Sequence, residues 1–371
     1  MVIGMKKRLL LLLACCLLLS GCGLLEREYT LVTEHTAQTA DREDATALRA
    51  ESYADLVSGA QYFVTLGAAR GTVRLYQYEG DIEQATRDAC AALLQNDPVG
   101  TYALRDVTCD HTRIVSYYEC VFRYRYRRSM DEIAAIRTVS SRTGFRRQVG
   151  DALRSFSTHL TLKTSGGYES EELVRRIFWE VYYDTPEAAM TRPQVDVRLY
   201  PDHGSPRVVE LTLDWKEDRE TLENQAAQVN VAAGRILEED GDSGLKRAWV
   251  LCDGLRGRIT WGPHESDSVY SALVKGSAST EGVAMAYKLL CDKADIPCQV
   301  VQGTRDGQKR CWNLITVDGV SWHVDVTAEE DRERFLHTDA EMELDYNWAR
   351  EDYPACTGRQ DTSVREERKT A

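Results

Sequence analysis

The chain has 371 residues, enough for two or three compact units with cores of their own. Its net charge is −13, and residues 1–21 hold three cations and no acid, so the remainder carries −13 − 3 = −16. That balance excludes nucleic acid and anionic lipid headgroups as partners held by bulk charge.

Lys6, Lys7 and Arg8 precede an eleven-residue apolar run at 9–19, followed by Leu19-Ser20-Gly21-Cys22. The run is too short to span a bilayer stably but suits the hydrophobic region of an export signal. The four-residue end resembles a bacterial lipobox. That resemblance implies a signal over 1–21, cleavage before Cys22 and diacylglycerol on its sulfur. The acyl chains would then be the membrane anchor, on the extracytoplasmic face. An ordinary secretion signal with an incidental cysteine is the alternative. Residues 22–50 are polar, acidic and threonine-rich, and read as a tether. No later stretch is long and apolar enough to cross a membrane.

Residues 71–78 alternate as a strand, 81–95 as a helix ending at Asn96-Asp97-Pro98, and strands follow near 103–109 and 114–126. The same order recurs as a strand at 157–163, a helix at 169–183 ending at Asp184-Thr185-Pro186, and strands at 194–200 and 207–215. The two helix–proline junctions are 88 residues apart. This echo predicts two tandem βαββ-type α/β units, over 51–140 and 141–217. Alternation in the third strand of the first unit places Tyr118, Cys120, Phe122, Tyr124 and Tyr126 on a buried face and Arg123 and Arg125 in solvent. The Tyr182-Tyr183 helix end reads as packing and capping.

Helical spacing of Leu222, Ala226, Val229, Ala233 and Ile236 predicts an amphipathic helix over 219–237 that opens a C-terminal domain at 218–357. Within that domain stand Gly-Ser-Ala-Ser-Thr-Glu-Gly-Val (276–283), Arg-Cys-Trp-Asn (310–313) and Trp-His-Val-Asp-Val-Thr (322–327). A buried helix from Val283, a break at Pro297, a strand from Val300 and a hairpin turning near Asp318-Gly319 connect them. In order and spacing these pieces resemble the transglutaminase-like domain of bacterial surface proteins. The resemblance implies a papain-like core and an α+β fold class for the chain. In that family a Cys precedes Glu-Gly at a helix start, a His precedes a small residue and Trp-Asn, and an Asp sits in the third piece. Here those positions are Thr280, Arg310 and Asp325, and only Asp325 matches. Residues 358–371 form a charged tail.

The substitutions remove the chemistry the resemblance implies. A hydroxyl is a far weaker acid than a thiol of pKa ~8.5 and needs a positioned base. A guanidinium supplies neither base nor acid. Loss of a triad member costs about four orders of magnitude in rate. The expected function is therefore an anchored lipoprotein whose degenerate cleft binds a peptide or protein, with cell-wall peptide a natural candidate. Arg310 would pair with Asp325, and Arg310 and Trp312 would contact the ligand, with Trp249 and Trp261 as further lining. Neither metal nor cofactor is expected, since the cysteines lack ligand spacing. The alternative is a working hydrolase or acyltransferase rebuilt from His323 with Thr280 or a nearby cysteine. Strand parity turns Cys311 away from the cleft. Eight cysteines remain beyond Cys22, read either as buried thiols or as disulfides of unknown pairing.

Overall fold

The computed structural model describes residues 46–239, 244–328 and 335–358. The export signal, Cys22, all but the last five residues of the tether, and 359–371 lie outside the described residues. No helix among the described residues is long and apolar enough to cross a membrane.

The chain begins β1 (Ala47–Ala50), α1 (Tyr53–Thr65), β2 (Arg70–Tyr76), α2 (Ile82–Gln95), α3 (Pro98–Ala103), β3 (Leu104–Ile114) and β4 (Tyr117–Tyr126). The strands form one sheet, in the order β1-β2-β4-β3, with β1 parallel to β2 and the other pairs antiparallel. Val73, Leu75, Cys120, Phe122 and Tyr124 point into the core shared with α1 and α2, as alternation requires. Ser52 and Asp81 cap the two helices by accepting from Asp55 N and Gln84 N.

The same plan follows in α4 (Met130–Ala134), β5 (Arg137–Val139), α5 (Arg142–Arg154), β6 (His159–Thr164), α6 (Glu171–Tyr183), β7 (Gln194–Tyr200) and β8 (Arg207–Asp214). Its sheet order, β5-β6-β8-β7, repeats that of the first sheet. Each sheet carries a strand and helix ahead of the βαββ pattern. β1 and β5 are four and three residues long, too short for alternation to register. The boundaries expected at 51 and 141 both fall just past these opening strands. By contact density the chain separates into two compact units. One runs to Phe145 and includes Lys163–Gly167 and Tyr200–Val208. The other comprises Arg146–Leu162, Tyr168–Leu199 and the chain from Val209.

The C-terminal part contains α7 (Arg219–Leu237), α8 (Gly244–Arg256), β9 (Thr260–Trp261), β10 (Ser277–Ala278), α9 (Thr280–Lys293), β11 (Cys298–Arg305), β12 (Gln308–Val317), β13 (Val320–Val324), α10 (Asp339–Met342) and β14 (Tyr346–Trp348). Its sheet runs β13-β12-β11-β14, every pair antiparallel. α9 is buried from Gly282 to Cys291 and packs on β12, where Asn313 Nδ2 donates to Ala284 O at 2.9 Å. Even-numbered Trp312 and Leu314 face the opposite side and join Met342, Trp348 and Cys356 in a second cluster. The chain is thus α+β, with helices interspersed among several sheets whose pairings are mostly antiparallel.

Candidate functional site

The site assembles where α9 begins. Ser279 is its N-cap, accepting from Gly282 N at 3.3 Å and donating to Asp267 Oδ1 at 2.5 Å. Gly282 is required there, because a Cβ would lie 2.9 Å from Ser266 O and 3.0 Å from Ser268 O. The helix start is pressed against that loop. Thr280, the first helical residue, accepts at Oγ1 from Cys311 N at 3.2 Å. The pairing of β12 with β13 ends at Asn313 and Val324, so the outer end of β12 is open on that side and the hydroxyl supplies an acceptor.

Asp325 follows the last residue of β13 and meets Arg310 as the sequence suggested. Arg310 Nε donates to Asp325 Oδ2 at 2.8 Å, and the two side chains are 8% and 2% exposed. Tyr346 OH donates to the same oxygen at 2.8 Å, while Thr327 N and Oγ1 donate to Oδ1 at 2.8 and 2.6 Å. The carboxylate is fully engaged. Arg310 stacks on Trp261 at 4.7 Å, and its Nη2 is buried without an acceptor.

Thr280 and Arg310 border one cleft of about 1210 Å³, with Trp261, Gly303 and Arg305 on its walls. Trp312 does not line it. That residue is 1% exposed and lies beneath Gly303, and the tryptophan that lines the cleft is Trp261. Cys311 does line the cleft, contrary to the parity argument, because both faces of the open β12 end border it. Burial pushes its thiol up to about 12, and Glu281 and Asp267 add to the shift. Tyr183 also belongs to the site and does more than pack: its OH donates to Glu281 Oε1 at 3.0 Å. Arg192 Nη1 reaches the same carboxylate at 2.7 Å and stacks on Trp179. Burial raises the Glu281 pKa, Arg192 opposes the shift and Asp267 reinforces it. Nothing in periodicity or spacing marked Arg192, Asp267 or Tyr346.

His323 is elsewhere. It is fully buried, accepts from Trp312 Nε1 at Nδ1 (3.0 Å), and its Nε2 lies 2.9 Å from Asp339 Oδ1. An indole N–H only donates, so the neutral ring carries its proton on Nε2, directed at Asp339. Cys356 stands beside this pair, with one candidate ligand atom from each of the three residues lying within 4.8 Å of the others. A metal on Nε2 would move the proton to Nδ1, against the indole N–H, so the donor set does not suit a metal. The group acts as a clamp: Asp339 Oδ2 also accepts from Cys356 N at 2.9 Å, fastening the segment after 335 to the sheet. Trp249 is absent from the cleft lining.

No family model and no curated protein matches the chain. Among solved structures it is similar to a transglutaminase at 8% identity, over 62% of this chain and 69% of that one, with a TM-score of 0.29. It is similar to a candidate cysteine protease from Cytophaga hutchinsonii at 10% identity, over 37% and 62%, with a TM-score of 0.25. A candidate protease from Parabacteroides distasonis matches at 10% identity, over 68% and 39%, with a TM-score of 0.21. The chain spans less than two thirds of both proteases. Likeness at this level does not assign an activity.

Proposed function

We propose that the protein is an extracytoplasmic, lipid-anchored lipoprotein whose transglutaminase-like C-terminal cleft binds a peptide or protein and does not make or break bonds. The observation that carries this reading is the pairing of Arg310 with Asp325 at the edge of a cleft that no histidine among the described residues lines. Thr280 faces it with a hydroxyl that has no neighbouring imidazole to take its proton. Cys311 is the cysteine that lines the cleft, and at neutral pH a thiol raised to about 12 holds almost no thiolate. The volume of the cleft suits a short extended peptide. The lipid anchor at Cys22 rests on the lipobox alone.

The test pairs the unaltered protein with the double variant Thr280→Cys, Arg310→His in hydrolysis and transamidation assays. The unaltered protein is expected to be inert, and the variant to gain thiol-dependent turnover or selective alkylation at residue 280. Turnover by the unaltered chain, with selective labelling of Cys311, would replace this reading with a rebuilt hydrolase.

A further inference from the structure

We propose that the cleft carries a carboxylate-binding corner, formed by the uncommitted edge of Arg310 and the first turn of α9. The inference rests on the binding reading above and names the ligand chemistry that reading leaves open. Three observations converge on the corner. The side chain of Arg310 is 8% exposed, lines the cleft and spends only Nε on Asp325, leaving Nη2 buried with no acceptor. A buried donor on a charged group is costly to leave unmatched. Next to it, where Cys311 N donates to Thr280 Oγ1, the amides of Thr280 and Glu281 begin a 14-residue helix and meet no acceptor among the described residues. The Thr280 hydroxyl accepts from Cys311 N and keeps its own proton to donate.

All of these groups are donors, and they belong to neighbouring residues that line one cleft. An incoming carboxylate would accept from the guanidinium edge with one oxygen and from the helix turn with the other. Three acids around the cleft have donors of their own, Asp345 lies beside Arg305, and Asp306 lines the cleft exposed. Asp325 has four donors, Glu281 has Arg192 and Tyr183, and Asp267 takes the Ser279 hydroxyl. A carboxylate on a peptide ligand can come from the chain terminus or from an Asp or Glu side chain, and the two are separable by experiment.

The experiment is calorimetric titration of the full chain with three short acetylated peptides. One has a free C-terminus, one is its C-terminal amide, and one is an amide bearing a single side-chain carboxylate. Both acids are expected to bind at least about tenfold more tightly than the amide, the worth of one charge-assisted bond. Arg310→Lys keeps a cation for Asp325 but loses the guanidinium fork, and is expected to erase most of that preference. Should that variant fail to fold, Thr280→Val leaves the Arg310–Asp325 pair intact and is expected to weaken the acids severalfold and the amide not at all. Equal binding of acids and amide, or a preference unchanged in both variants, overturns the carboxylate corner while leaving peptide binding standing. Absence of binding by all three peptides overturns both.

Discussion

Two sets of arginine–aspartate pairs in this molecule are built from the same residue types and are worth very different amounts. On the first sheet, Arg123 reaches Asp110 and Arg125 reaches Asp106 across β3 and β4. The first of these pairs is 54% and 66% exposed, so water competes for both charges and the pair contributes little. Arg310 and Asp325 are almost completely enclosed, with Tyr346 and Thr327 filling the remaining acceptor sites. Burial turns the same contact from decoration into a constraint, because neither charge can be removed without stranding the other. A string of arginines among aromatics on β4 is therefore a solvated face, whereas a lone arginine on β12 defines the cleft.

The sharpest way to break that contrast is Asp325→Ala. It leaves a buried guanidinium unpaired and is expected to lower unfolding free energy by about 3–5 kcal/mol in a denaturant titration. A loss below ~1 kcal/mol would mean that Arg310 swings into the cleft and rehydrates.

A smaller effect is expected from pH through His323. Burial lowers its pKa, against the pull of Asp339. The unfolded chain therefore takes up the proton first, near its ordinary ~6.5, and stability that is complete above that value falls as the pH drops below it. Thermal melts between neutral and mildly acid pH should show this slope, and His323→Gln should flatten it. A slope unchanged in that variant would assign the acid sensitivity to other groups.

The smallest effect belongs to the exposed pair. A double-mutant cycle on Arg123 and Asp110 should return a coupling within ~1 kcal/mol, shrinking with added salt. A larger value would erase the distinction between the two pairs.

Elements long enough to show their period are legible in the sequence. α2, α6, β7 and α7 lie within two residues of their expected bounds, and the repeat of sheet order was foreshadowed by the two helix–proline junctions. β1 and β5 were not, since three or four residues contain too little alternation to distinguish from loop. In the site, the Arg310–Asp325 contact is what the resemblance implies, since it seats the two residues where an imidazole and a carboxylate would meet, and the structure forms it between the open end of β12 and the residue after β13. Cys311 was misplaced for a different reason. Parity gives the face of a strand correctly, and Cys311 does share the α9 face with Asn313, but a strand end open along one edge presents both faces to the same cleft. Tyr183 reads locally as packing, and Arg192 carries no local signal, because their partner, Glu281, lies 98 and 89 residues away in sequence. Nothing local records an ion pair of that separation.

Gly303 lines the cleft directly above Trp312. A Cβ there would collide with the carbonyl oxygen of Asn347 and stand 2.7 Å from the indole ring. The ring cannot yield freely, because its N–H is committed to His323, and His323 in turn to Asp339. Enlarging residue 303 would therefore push a wedge down through three hydrogen-bonded side chains and pry the last β-strand off the sheet. The groove is kept deep by the same parts that hold the C-terminal segment in place, so no mutation can make it shallower at this point without loosening the fold below.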